Sequence, residues 1–173
     1  MQFKSIAIVC CATLCALPAL SQIKSATKGI SDQQFVVFAA QTDMVEANLG
    51  QWGTTVAASQ AVKDYAAMLA ADHTQDYKAL SKIAQQENLQ LPQAIDPDHN
   101  KAMIGPFHKL KNAAFDHRYI ADMVAGHRKA IAVYEKEVKT ASSPALKKYA
   151  QEALPVLHKH LDGARKLETE KVK

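Results

Sequence analysis

Phe115-Asp116-His117-Arg118-Tyr119-Ile120-Ala121-Asp122-Met123-Val124-Ala125-Gly126-His127 is the stretch whose reading decides the fold. At three- and four-residue spacing, Asp116, Ile120, Met123 and His127, continued by Ile131, Tyr134 and Val138, fall on one helical face. A mostly apolar stripe with a histidine at its middle is the core-facing side of a long helix with something polar inside the core. The helix is expected from about Ala113 to Thr140, where Ala141-Ser142-Ser143-Pro144 stops it and starts another. Ser143 is placed to cap that next helix and Pro144 suits its first position.

Three other stretches carry the same signature. After Pro144, Leu146, Ala150, Ala153, Leu157, His160, Ala164 and Leu167 form a stripe, with Pro155 inside it as an expected kink and the tail from Glu168 expected to fray. Upstream, Ser31 and Asp32 open a helix to about Val56, striped by Phe35, Phe38, Thr42, Val45, Leu49, Trp52 and Val56, with Ala39 and Glu46 on the flank. Gly50 and Gly53 weaken its end but permit a close neighbour. Ser59 is placed to cap a fourth helix, from about Gln60 to Asn88, striped by Val62, Ala66, Leu69, His73, Asp76, Leu80 and Ile83. The short turns at Ala57-Ala58-Ser59 and Ala141–Pro144 make two antiparallel hairpins. Between them, Leu89–Asn112 holds Pro92, Pro97 and Gly105-Pro106, which forbid a long helix. Short helical pieces are expected at about Asp98–Ile104 and Pro106–Lys111. The segment is either a crossover along the bundle or a cap at one end. The fold class is all-α: a four-helix bundle with a long connection containing short helices between the second and third long helices.

Composition limits the rest. The chain has 173 residues and a formal net charge of +4, with charges of both signs interspersed. No basic block points to nucleic acid, and sparse aromatics offer no stacking platform. Lys4, the apolar run Ile6–Leu20 and the small residues around Ala19-Leu20-Ser21 read as a signal peptide over 1–21, followed by a linker over 22–30 and the bundle domain over 31–170. All three cysteines, Cys10, Cys11 and Cys15, lie in that leader. Leu14 stands where a lipoprotein signal needs a small residue before Cys15, so no lipid anchor is expected. The mature protein would be exported without disulfides, its stability resting on core packing. After Leu20 no apolar run is long enough to span a membrane.

The candidate chemistry comes from level matching. Glu46 and His73 are equidistant from the junction of Ser59 and Gln60; His127 and His160 are equidistant from the junction of Ser143 and Pro144. Each pair therefore sits at one height across its own antiparallel hairpin, near mid-bundle. If the hairpins pack in register, one carboxylate and three imidazoles converge, a donor set suited to a divalent ion such as zinc, iron, manganese or copper. The register between hairpins is left open. Asp72 and Asp76 flank His73 and are expected to orient its ring. Met44, Met68 and Met123 lie within about a turn and read mainly as core filling. Asp116 is about 16 Å along the helix from His127 and cannot share an ion with it; an electrostatic role at the helix start, or a bond to a tyrosine, is expected. His99, His108, His117 and His158 read as surface or connector residues. The alternative to a metal is a buried polar network of Glu46 with His73 and His127 with His160 that sets helix register. A di-iron oxidase is disfavoured, because the Glu-x-x-His pairs of that class are missing. No Cys-x-x-Cys-His haem attachment occurs.

Phe35 with Ala39-Ala40 and Glu46, Ala71-Asp72-His73-Thr74, Phe115-Asp116 with Tyr119 and His127, and Leu154-Pro155-Val156-Leu157 with His160 together resemble the bacterial domain of unknown function 4142. The resemblance covers about Asp32 to Leu167. It implies an exported, ferritin-like four-helix protein of undefined activity, in which Glu46, Asp72, His73, Asp116, Tyr119, His127 and His160 occupy matching positions. Tyr119 joins Asp72, Asp76 and Asp116 as a supporting or structural residue. Asn112 stands where the family pattern tends to have glycine, a substitution that left-handed backbone tolerates. A helical chain without barrel strands fits the periplasm or secretion better than the outer-membrane label such proteins often carry.

Overall fold

The computed structural model describes residues 30–170; the leader, its cysteines and nearly all of the linker lie outside the described residues. Four long helices form the bundle: α1 (Asp32–Val56), α2 (Gln60–Gln86), α4 (Asn112–Thr140) and α5 (Pro144–Thr169). The short α3 (Pro97–His99) lies in the connection, followed by a π-helical turn at Asn100–Ile104 and a 3-10 turn at Gly105–Phe107. Among the described residues, no helix is long and apolar enough to cross a membrane.

Local chemistry sets the boundaries. Ser31 caps α1 in a capping box: its hydroxyl accepts from the Gln34 N–H at 3.3 Å while Gln34 Oε1 accepts from the Ser31 N–H at 2.9 Å. Asn88 ends α2 in the left-handed region at φ 55°, and Leu89 N–H reaches back to the Ala84 carbonyl at 2.8 Å, the wrapped C-terminus that asparagine supports. Asn112 has φ 54°, consistent with glycine as its alternative there. Ser143 caps α5 through the Leu146 N–H, with Pro144 at the first position. Pro155 sits on the exposed side of α5, which continues through it to Thr169.

Ser59 departs from its expected role. It holds the N-cap position of α2, but its side chain makes no capping bond. The buried carboxylate of Asp116, on α4, instead accepts the N–H groups of Ala58 and Ser59, both at 2.9 Å. This also corrects the expectation for Asp116: it binds neither a tyrosine nor its own helix end, but the turn of the opposite hairpin. Asp32 does the same in reverse, accepting the N–H groups of Ser142 and Ser143 at 3.0 and 2.8 Å. Each hairpin turn is thus held by an aspartate near the start of the other hairpin.

These clasps place the start of α1 beside the α4–α5 turn and the start of α4 beside the α1–α2 turn. α2 packs on α5 and α1 on α4, so adjacent helices are antiparallel throughout. α2 and α4 are then parallel, and residues 87–111 must run the length of the bundle between them. They do so along α1. Gln33 exchanges hydrogen bonds with the backbone of Gln90, and Gln41 with Ala94 and Asp96; further on, the Trp52 and His108 rings lie 6.0 Å apart. The connection is a crossover and not an end cap.

The crossover accounts for one misplaced face. Phe38, Thr42, Trp52 and Val56 are only half-buried, while Val36, Ala39, Ala40, Asp43, Gly50 and Gly53 are buried. The stripe drawn through large residues marks the flank near the crossover; the seam with α2 is built from small ones. A Cβ on Gly50 would lie 2.6 Å from the Ala66 carbonyl oxygen, so these backbones approach as closely as glycine allows.

Asp116→Ala should lower the unfolding free energy by about 2–4 kcal/mol in urea denaturation, because two part-buried N–H groups lose a charged acceptor. Asp32→Ala should cost less, since its clasp lies nearer solvent. A loss below about 0.5 kcal/mol for Asp116→Ala would show that the turn holds its shape unaided.

Candidate metal centre

The two hairpins meet in register. Glu46 from α1, His73 from α2, His127 from α4 and His160 from α5 converge at mid-bundle, each no more than 3% exposed. Each histidine offers a ring nitrogen within 4.8 Å of the other two. Glu46 Oε2 lies 3.0 Å from His73 Nε2 and 3.5 Å from His127 Nε2. The ring centroids of His127 and His160 are 5.2 Å apart, and that of His73 is 5.9 and 5.3 Å from them respectively.

Each imidazole is held from behind. His73 Nδ1 lies 2.9 Å from Asp43 Oδ1. His127 Nδ1 lies 2.9 Å from the Met123 carbonyl oxygen, which can only accept, so that nitrogen carries its proton. His160 Nε2 lies 2.9 Å from Asp72 Oδ2. The second nitrogen of each ring, together with Glu46 Oε2, is buried and completes no hydrogen bond. The 3.0 Å approach of His73 Nε2 to Glu46 Oε2 is an ion pair. Four buried polar atoms without a hydrogen-bond partner thus share one locus, three of them on rings oriented by an outer acceptor, although buried polar groups are almost always satisfied.

Charge separates their protonation. Burial opposes ionisation of Glu46, but His127 and His73 outweigh it and lower its pKa to about 2. Burial works against the charge of His73, yet Glu46 and Asp43 push its pKa well above the ordinary value. His160 goes the other way, to about 4: burial dominates, Asp72 opposes it, and the neighbouring imidazoles add to it. Asp43 is raised to about 7, chiefly by burial. Without a cation the centre therefore carries a charged His73 between two acids and a neutral His160.

The supporting residues are redistributed. Asp72 holds His160 and not His73 as expected, because it projects towards the α2–α5 seam. Asp76 also does not orient His73; it accepts from the Tyr149 hydroxyl. The partner of His73 is Asp43, which the sequence reading missed. Its signal was legible: Asp43 lies one turn before Glu46 on the same face. Tyr119 is fully buried, stacked on Phe115 at 5.2 Å between centroids, and its hydroxyl has no hydrogen-bond partner. Met123 contributes its backbone carbonyl. His108, His117 and His158 are exposed, and His99 pairs with Asp96 in the connection.

Residues 17–167 match the family described as Domain of unknown function (DUF4142). The solved structure of "CopM in the Cu(II)-bound form" resembles this fold with a TM-score of 0.67, at 14% identity, over 83% of this chain and 99% of that one. At that identity the likeness concerns the fold. No curated protein matches the sequence.

Because the pKa of Glu46 is lowered, its ion pair stabilises the metal-free fold above the unfolded value of 4.5 and is lost as pH falls through about 2. The difference in unfolding free energy between the native protein and Glu46→Gln should be flat just above pH 4.5 and shrink by about 3 kcal/mol towards pH 2, followed by chemical denaturation across pH. A difference that does not change over that window would mean Glu46 is not held ionised by the imidazoles.

Proposed function

The chain belongs to the DUF4142 family, and on that footing we propose that it is an exported, periplasmic bundle protein that binds one divalent metal ion through Glu46, His73, His127 and His160. The observation that carries the reading is the set of buried donor atoms without a hydrogen-bond partner on those four residues, one residue from each long helix. Three nitrogens and one carboxylate oxygen suit borderline ions, zinc and copper(II) foremost. The copper(II) bound by the structurally similar CopM supports trying copper first. Bound there, the ion would supply the positive charge that the carboxylate and the inward-facing lone pairs lack. Asp43, the Met123 carbonyl and Asp72 would fix the tautomers and strengthen the rings as donors.

One site per chain suits buffering an ion, or protecting other molecules from it, better than bulk storage. Four protein donors already fill a tetrahedral set, whereas metal-dependent turnover needs an open position. The charged His73 between Asp43 and Glu46 favours a second reading, a buried ionic network that sets helix register in an envelope module.

Elemental analysis of the tag-free protein separates the two. About one equivalent of metal is expected in the native protein, and none in a folded His127→Ala, His160→Ala double variant. No uptake by the native protein, after incubation with zinc, copper, iron and manganese, would leave the register-setting network in its place.

Binding should also release protons. Glu46 must let go of the charged His73, which then ligates as the neutral ring, so uptake near pH 7 should expel about one proton. Calorimetric titration in two buffers of different ionisation heat should give different apparent enthalpies, and the affinity should fall with falling pH. Identical enthalpies would show that uptake leaves the proton count of His73 and its neighbour Asp43 unchanged.

A further inference from the structure

The four donor residues are almost fully enclosed, so an ion must pass between helices to reach them. The α1–α2 seam is shut where Gly50 meets the backbone of Ala66. The α2–α5 seam is not. A cavity of ≈ 430 Å³ lies between these helices, lined by His73 and His160 on the inside and by Asp72, Asp76 and Glu152 among its other residues. Ala79 and Ala153 also line it, and their small side chains leave it open.

Three observations give this cavity a purpose. First, it ends on a donor: His160 is 1% exposed, lines the cavity, and its Nδ1 has no partner. Second, its acids are set in depth. Glu152 is exposed, Asp72 is 38% exposed at its side chain, and Asp72 is the residue that grips His160 at 2.9 Å. Lys159 also lines the cavity and Lys148 pairs with Glu152, but the carboxylates outnumber the cations on the lining. Asp72, Asp76 and Glu152 outnumber Lys159 and the charged His73, and a concave cleft with net negative lining concentrates cations. Third, the size fits a particular species. A divalent ion with six waters fills roughly 200 Å³, taking about 30 Å³ per water, so the cavity admits the hydrated ion.

We propose that the α2–α5 cavity is the route by which a hydrated divalent cation reaches the centre, with Asp72 receiving it and His160 the first ring it meets. This rests on the metal-binding reading above. Asp72 thereby has two tasks that sequence position alone would not suggest. It orients one ring, and its partly exposed carboxylate gives the incoming ion an anionic station beside that ring.

The test is stopped-flow absorbance of the metal-free, full mature chain mixed with cobalt(II), whose visible bands report coordination by the centre. Ala79→Trp fills the cavity without touching a donor. It should slow association and dissociation together, by about tenfold or more, leaving the ratio of the two unchanged. Ala67→Trp, in the outer groove between α1 and α2, should alter neither rate. Should Ala79→Trp fail to fold, Glu152→Lys carries the test. It should slow association several-fold at low salt and converge on the native rate at high salt. Native rates in the folded variants, with cobalt still bound, would overturn the route while leaving the metal site standing. No cobalt bands in the native protein would overturn the metal reading itself, and the route would fall with it.

Discussion

Two aspartate carboxylates decide how the halves of this molecule meet. Asp116 clasps the turn at Ala58-Ser59, and Asp32 clasps the turn at Ser142-Ser143. A hairpin of two long helices can slide against another by a turn, about 5.4 Å, with little loss of apolar contact. A carboxylate that must meet two particular N–H groups cannot. With both ends pinned, the level pair Glu46 and His73 is brought to the height of His127 and His160. The polar centre is therefore a consequence of bonds made some distance away at the two ends of the bundle.

The centre itself would be costly without organisation. Its carboxylate and imidazoles lie in a core otherwise made of Phe35, Leu49, Leu69, Tyr119, Leu157 and their neighbours. Charge inside such a core is tolerated only when it is paired and hydrogen-bonded. The outer partners meet half of that demand: one nitrogen of each ring has an acceptor from Asp43, Met123 or Asp72. The inner half is met only by mutual attraction, with Glu46 closest to His73 at 3.0 Å and next to His127 at 3.5 Å. The result is an imbalance: each ring is hydrogen-bonded on its outer side and lacks a hydrogen-bond partner on its inner side. The seam between α2 and α5 adds the asymmetry. One ring, His160, is held by an acid that solvent also reaches, whereas His127 is held by backbone.

Much of this was legible because helices impose simple arithmetic. The stripes of α2, α4 and α5, the capping serines 31 and 143, and the equal distances of each donor pair from its turn all follow from helical periodicity and turn chemistry. The misreadings share one origin. Asp72 is adjacent to His73 in the chain yet points across the seam to His160, because consecutive residues on a helix are about 100° apart and face different neighbours. Asp43 and Asp116 found their partners on other helices or turns, and no spacing along one helix announces those. On α1, the large residues Phe38 and Trp52 drew the stripe towards the crossover, and the true seam of Ala39, Gly50 and Gly53 was hidden by the small size of its residues.

The amino-acid sequence by itself determined the four helices, their pairing into two hairpins and the height of each donor in its own hairpin, since these depend only on local geometry and short turns. Tertiary structure alone decided the path of residues 87–111, the register between hairpins, the identity of the residue behind each imidazole and the opening between α2 and α5. Those features depend on which backbone N–H groups and which small side chains meet across helices distant in sequence, and a one-dimensional pattern does not record such meetings.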